Sequence, residues 1–227
     1  MIKKHIPNAI TCANLFSGCI GVVYAFNGAL EIAAYFVLLS GIFDFFDGLV
    51  ARALNVKSSI GKELDSLADM VSFGFLPGVV LFKLLSVSDF SSPWVPYLGF
   101  IVTVFSALRL AKFNIDTRQT EDFIGLNTPM NTLLIVSLPF IQHDYPKIIE
   151  STLFLIALTA ILSFLLVSEI RIFSMKLSNL SWAHNKYKYI FLICSLILAI
   201  VLKFVAVPFI LILYIGFSVA HFRKIKV

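Results

Sequence analysis

The chain is a succession of apolar runs, each about as long as a bilayer is thick, and nothing else in it limits the fold so strongly. Such runs occupy 9–28, 31–51, 65–86, 95–113, 127–142, 149–170, 188–206 and 208–222, the fifth and eighth being short. A transmembrane α-helix needs roughly 20 mostly apolar residues, within a range of about 17–25. Inside hydrocarbon each backbone N–H and C=O must be satisfied within the segment, which leaves the helix as the natural form for runs of this length. The chain therefore reads as all-α: a polytopic membrane helix bundle of six core transmembrane helices plus two more, forming a single integral membrane domain over residues 1–227. Composition excludes the alternative of a soluble helical domain. The chain is 59% hydrophobic and 14% charged, with a mean hydropathy of +0.94, whereas soluble domains are about 45–50% apolar and about 25% charged.

Lys3 and Lys4 resemble the basic start of a signal peptide, but no small-x-small cleavage site follows, so the first run is expected to remain as a helix. Cys12, Cys19 and Cys194 lie inside apolar runs without metal-ligand or disulfide spacing, and read as small packing residues. His5, His143, His184 and His221 are scattered near run ends and form no HxxH or HExxH pattern.

The net charge of +5 is distributed as a membrane topology signal rather than as a nucleic-acid footprint. With the N-terminus in the cytoplasm and eight alternating spans, fifteen of the 18 Lys and Arg residues fall on the cytoplasmic side. They are Lys3, Lys4, Arg52, Lys57, Lys62, Arg109, Lys112, Arg118, Arg171, Lys176, Lys186, Lys188, Arg223, Lys224 and Lys226. Only Lys83, Lys147 and Lys203 face the other way. Both termini are thus expected in the cytoplasm, and the basic flanks are expected to meet anionic lipid headgroups.

The chemistry concentrates between Asp44 and Asp69, in DFFDGLVARALNVKSSIGKELDSLAD. Asp44 and Asp47 are three apart at the end of the second run, and Asp65 and Asp69 four apart at the start of the third. Either spacing puts two carboxylates on one helix face, with Cβ atoms about 5–6 Å apart. A short connection makes the helices antiparallel neighbours, so all four acids can converge at the membrane boundary. Such a group repels itself and is costly to desolvate. Arg52, Lys57 and Lys62 can offset part of that, and hard divalent cations, which prefer oxygen ligands, offset it better. The alternative is that the acids merely cap helices. That suits Asp65 and Asp69 in a first turn, but not Asp44 and Asp47 in last turns, where the helix dipole disfavours negative charge. Gly48 and Ala51 suit either close ligand approach or ordinary helix packing.

The pattern D-x2-D-G-x2-A-R-x8-G-x3-D-x3-D, filled here by Asp44, Asp47, Gly48, Ala51, Arg52, Gly61, Asp65 and Asp69, resembles the signature of the CDP-alcohol phosphotransferases. The opening PNAITCANLFSG (Pro7 to Gly18), RLAKFN (Arg109 to Asn114) and GLNTP (Gly125 to Pro129) are similar to segments of the bacterial and archaeal phosphatidylserine synthase branch. The likeness covers roughly the first 130 residues, and the remainder matches in layout. It implies a bacterial or archaeal cytoplasmic-membrane enzyme, homodimeric, that passes a phosphatidyl group from CDP-diacylglycerol to L-serine. Asp44, Asp47 and Asp65 would be ligands of a two-metal centre of magnesium or manganese. Asp69 would join that centre and act as general base. Asn8, Thr11, Asn14, Gly48, Ala51, Arg52 and Ser58 would line the donor and its nucleotide, and Arg109 and Lys112 would meet the acceptor. The same motif serves other acceptors, so glycerol 3-phosphate or an inositol phosphate are the rival substrates. A different class, an ion-coupled transporter, is disfavoured because the acids cluster at one membrane edge and no second copy of them exists.

Overall fold

Ten α-helices follow the apolar pattern through the described part of the chain. The computed structural model describes residues 3, 5–56, 58–90, 92–119, 122–175 and 182–225; Lys4, Lys57, Lys176 and Lys226 lie outside them. The helices are α1 (His5–Phe26), α2 (Leu30–Ala53), α3 (Ser59–Asp69), α4 (Leu76–Ser86), α5 (Ile101–Ile115), α6 (Thr128–Asp144), α7 (Pro146–Ile149), α8 (Thr152–Val167), α9 (Trp182–Leu202) and α10 (Ala206–Ile225). Five helical stretches, His5–Phe26, Leu30–Ala53, Ser59–Ser86, Val95–Ile115 and Asn185–Arg223, are long and apolar enough to cross a membrane by length and composition. Large apolar side chains face outward around them, among them Phe16, Val104 and Ile200 at 68%, 57% and 71% exposure. In water these would be a liability, and against lipid they are the expected surface. The protein is an integral membrane helix bundle.

The third stretch starts earlier than the apolar pattern indicates. Ser58 caps it, its hydroxyl accepting from the Gly61 N–H at 3.2 Å, so the helix begins in polar sequence well before Asp65. Asp65 and Asp69 therefore lie inside the helix and do not cap it. Beyond Asp69 the helix widens into a π segment, Met70–Phe75, and then resumes as α4. Three small residues fix this stretch against its neighbours. A Cβ on Gly18 would stand 3.0 Å from the Ser72 Cα, and one on Gly74 3.2 Å from the Ser106 Cβ. The Ser72 hydroxyl donates to the Asn14 carbonyl at 3.2 Å.

The expected spans at 127–142 and 149–170 become α6 and α8, of 17 and 16 residues, each about 25 Å long. The sixth begins at Thr152 rather than at residue 149, because Pro146 opens the separate short helix α7 and Ser151 caps α8. The last stretch folds back on itself at Lys203, whose φ is +50°. Phe191 packs on Tyr214 with ring centroids 5.3 Å apart, and Tyr187 on Phe217 at 6.4 Å, so α9 and α10 form an antiparallel hairpin.

One element is not helical. Phe123–Ile124 (β1) pairs antiparallel with Arg171–Ile172 (β2). Gly125 makes this possible. It sits at φ +78°, and a Cβ there would lie 2.6 Å from the Leu166 carbonyl oxygen, while its N–H donates to Ile170 O at 2.8 Å. Asn127 then caps α6, its side-chain oxygen accepting from the Met130 N–H at 2.8 Å, and Pro129 follows in the first turn. The GLNTP run is thus a strand exit, a left-handed turn and a helix start.

The core lies along α4 and α6. Leu76, Leu81, Leu85, Leu126, Ile135 and Leu155 are each fully buried. The alternation of helices leaves two chemically different ends. The Asp44 to Asp69 segment, the β pair and the start of α6 lie at one end. The start of α2, the end of α6 and the α9–α10 turn lie at the other, joined by the Glu31–His143 pair and the Phe140–Phe204 stack at 4.0 Å.

Candidate active site

Helix periodicity brings three of the four aspartates together. One carboxylate oxygen from each of Asp44, Asp47 and Asp65 lies within 4.8 Å of the others. That spacing suits donors around a single hard cation, since oxygens on opposite sides of such an ion stand about 4–5 Å apart. Asp69 is outside this trio. It accepts a hydrogen bond from the Asn14 side-chain N–H at 3.4 Å and lies close enough to feel the charges of Asp44, Asp65 and Asp47.

Helix α1 holds the acids in place. The Thr11 hydroxyl is 2.6 Å from Asp47 Oδ2 and 3.1 Å from the Pro7 carbonyl. Asn14 is fully buried and ties α1 to both neighbouring helices, since its carbonyl accepts from Ser40 and Ser72, each at 3.2 Å. Substituting Thr11→Val keeps the shape and removes the donor. The expected result is a rise in the divalent-ion concentration needed for half-maximal activity, by about ten-fold, read from an ion titration.

The residues present fit a divalent metal. Arg52 and Lys62, the described cations of the motif segment, form no ion pair with the aspartates. The Lys62 ammonium instead donates to the Asn114 carbonyl at 2.9 Å. Asp65 Oδ1 is buried with no hydrogen-bond partner among the described residues. An anionic oxygen in that position is a ligand in waiting, and a hard cation on Asp44, Asp47 and Asp65 would satisfy it.

Beside the trio opens a cavity of about 520 Å³, with Asp47 and Asp65 in its wall. Asn8, Thr11, Gly48, Ala51, Ser58 and Gly61 line it, so five of the seven expected donor residues are here, all but Asn14 and Arg52, together with the motif glycine Gly61. Asn14 is turned instead onto Asp69, and Arg52 lies outside the lining. Ser58 serves twice, as the α3 cap and as cavity wall. Gly61 is needed small: a Cβ would come within 2.9 Å of Asn8 Oδ1. Lys62 also lines this cavity, a place the charge argument did not give it, although its proximity to Asp65 in sequence was the available signal.

Arg109 and Lys112 line a second cavity, of about 300 Å³, at the same end of the bundle. Arg109 is buried, with its guanidinium 4.9 Å from the Phe113 ring centre, and it is within Coulombic reach of Asp69. It therefore stands between this cavity and the fourth aspartate. Arg118 completes the wall together with residues not expected from sequence: Asp116, Gln119, Ser168 and Glu169. Arg118 grips Asp116 through two nitrogens, at 2.9 and 2.8 Å, which holds that carboxyl well below the usual carboxylate range. Arg118 also reaches Glu169 at 3.5 Å. Asp116, Arg118 and Gln119 lie in polar connecting sequence, and Ser168 and Glu169 at the end of the run expected over 149–170, just past α8, where no periodicity marks a cavity.

Comparison with known proteins agrees with this chemistry. The model of the CDP-alcohol phosphatidyltransferase family matches residues 4–220. A CDP-diacylglycerol–serine O-phosphatidyltransferase of Bacillus subtilis (strain 168) is 33% identical over 169 residues, covering 74% of this chain and 89% of that protein. One from Helicobacter pylori (strain ATCC 700392 / 26695) is 34% identical over 169 residues, covering 73% and 70%. An archaetidylserine synthase of Methanothermobacter thermautotrophicus is 31% identical over 134 residues, covering 58% and 56%.

Proposed function

The chain belongs to the CDP-alcohol phosphatidyltransferase family, and from that premise we propose that it transfers a phosphatidyl group from CDP-diacylglycerol to L-serine, releasing CMP. Family membership makes it an enzyme and removes the transporter reading. The observation that carries the proposal is the aspartate trio, with oxygens within 4.8 Å, two of whose members, Asp47 and Asp65, stand in the wall of a cavity paved by Gly48 and Ala51.

In this reading the cytidine diphosphate lies in the larger cavity, where Gly48, Ala51 and Gly61 leave room for it. Asp44, Asp47 and Asp65 would hold magnesium or manganese, two ions in all in this reading, with Asp69 at the edge of the centre. When bound, such ions neutralise charge on the diphosphate oxygens and on the departing phosphate. Asp69 takes the hydroxyl proton of serine, as a general base must do from hydrogen-bond reach. The serine oxygen bonds to the phosphorus that carries diacylglycerol. The bond from that phosphorus to the CMP oxygen breaks, and CMP leaves with the electron pair. Most of the rate enhancement comes from positioning and fixed charge.

Serine is favoured over glycerol 3-phosphate by the smaller cavity. Its wall carries both signs: Arg109, Lys112 and Arg118 beside Asp116 and Glu169. A zwitterion, with one carboxylate and one ammonium, is complementary to such a wall. A phosphate dianion would be opposed by the two acids. The similar proteins named for serine and archaetidylserine synthesis support the same choice. The distribution of Lys and Arg supports a cytoplasmic position for this end and for both termini. Lys83, Lys147 and Lys203 belong to the far end of α4, to α7 and to the α9–α10 turn. We also propose that the protein works as a homodimer.

The test is CMP release by purified protein given CDP-diacylglycerol and magnesium or manganese, with L-serine, glycerol 3-phosphate and inositol phosphate supplied separately. Release that needs both the ion and serine is the expected result. Release with another alcohol alone would keep the chemistry and overturn the acceptor.

A further inference from the structure

Two consecutive carbonyls of the third helical stretch are held by side chains of other helices. They belong to Phe73 and Gly74, inside the π segment. A π turn widens the backbone ring, so that an N–H reaches five residues back instead of four. The Leu76 N–H does so, donating to the Val71 carbonyl. Such a change of register leaves neighbouring carbonyls poorly served by their own helix, and buried carbonyls need a partner. Here α6 and α5 supply the donors. The Thr132 hydroxyl lies 2.6 Å from the Phe73 carbonyl oxygen, closer than the 2.9 Å to the Thr128 carbonyl of its own helix. The Thr103 hydroxyl donates to the Gly74 carbonyl at 3.0 Å.

A threonine in a helix commonly returns its proton to the carbonyl four residues back, which is a purely local contact. Thr132 differs, because its shorter contact crosses to another helix, and it is fully buried there. The segment is also tied on a third side, through the Ser72 hydroxyl on the Asn14 carbonyl at 3.2 Å. Asn14 in turn bonds Asp69. The π segment begins directly after Asp69, so three helices brace the backbone that carries this acid and, one turn earlier, Asp65.

We propose that Thr132 and Thr103 are positioning residues: their hydroxyls hold the stretch in its π form and thereby keep Asp65 and Asp69 aimed at the cation site. The inference rests on the phosphatidyl-transfer reading for its activity readout. Each hydroxyl acts through the main chain and not on an aspartate directly. Without them the segment is free to tighten into an α-helix, which is the better hydrogen-bonded form. Each residue of an α-helix turns the chain by about 100°, so even partial tightening moves the acids. A catalytic group displaced by about 1 Å can lose about a hundred-fold in rate.

The experiment uses Thr132→Val, Thr103→Val and their combination, which keep the shape and remove the hydroxyls, with Thr132→Ser as the variant that keeps one. CMP release gives kcat and KM for L-serine, electron paramagnetic resonance gives manganese affinity, and a thermal melt shows the folded fraction. Each valine variant is expected to lower kcat and manganese affinity about ten-fold, and the pair to lower kcat about a hundred-fold. KM for serine holds, because Arg109, Lys112 and Glu169 lie outside this stretch. Thr132→Ser is expected to stay within about two-fold of the unsubstituted protein. Unchanged kcat and manganese affinity in the double variant would overturn the inference. So would a loss that serine fails to rescue, or one that only follows the folded fraction. Should the double variant not fold, Thr103→Val, at a half-buried position, carries the same comparison. No CMP release by the unsubstituted protein with any acceptor would overturn the transferase reading, and the manganese comparison would still decide whether the two threonines aim the acids.

Discussion

Asp65→Asn is expected to lower CMP release by about a thousand-fold in protein that still purifies as a folded species. The substitution keeps side-chain shape and removes one of the three anionic oxygens that lie within 4.8 Å of each other. It also acts on the side chain whose Oδ1 is buried without a hydrogen-bond partner among the described residues. An amide there can accept a hydrogen bond, but it cannot replace a carboxylate against a hard cation. Manganese binding, followed by electron paramagnetic resonance, should weaken in parallel with activity. Activity within ten-fold of the unsubstituted protein, with an unchanged manganese titration, would remove the proposed metal centre.

Asp69→Asn is expected to separate from Asp65→Asn in its signature, although it too nearly abolishes turnover. A positioned base contributes about 10²–10⁴-fold, so kcat should fall by that amount. Apparent manganese affinity and KM for the lipid donor should hold, because Asp69 stands outside the trio and is bonded to Asn14 at 3.4 Å. Loss of manganese affinity together with kcat would make Asp69 a ligand instead of the base. Normal turnover would leave the serine proton without its proposed acceptor.

The parts of the molecule that could be read from sequence are those with a period or a length. Apolar runs gave the long helices, and spacings of three and four put paired acids on faces that meet. The basic residue distribution separated Lys83, Lys147 and Lys203 from the rest, and these belong to the bundle end remote from the aspartates. What escaped has no local signature. The π segment at Met70–Phe75 follows from tertiary closeness, Gly18 against Ser72 and Gly74 against Ser106, and any apolar helix sequence would look the same. The strand pair depends on Gly125 meeting carbonyls from a segment about forty residues away. The early start of α3 depends on one serine hydroxyl. The family resemblance set Asn14 beside the donor with Asn8 and Thr11, and no local pattern announced that it is fully buried and bonded to Asp69.

The π segment has a consequence for how the third stretch can vary. An α-helix advances about 100° per residue, so an extra residue accommodated between Asp69 and Leu76 offsets the angular phase of everything after it. The polar half, with Asp65 and Asp69, is thereby aimed at α1 and the metal site. The apolar half, with Leu76, Leu81 and Leu85, is aimed at the core, and the two directions are set independently. Deleting one residue from Met70–Phe75 would let the stretch run as an uninterrupted α-helix with better local hydrogen bonds. It would also swing the acids by about a quarter-turn relative to the packed leucines. The length of this segment is therefore constrained by geometry in addition to the small side chains at Ser72 and Gly74.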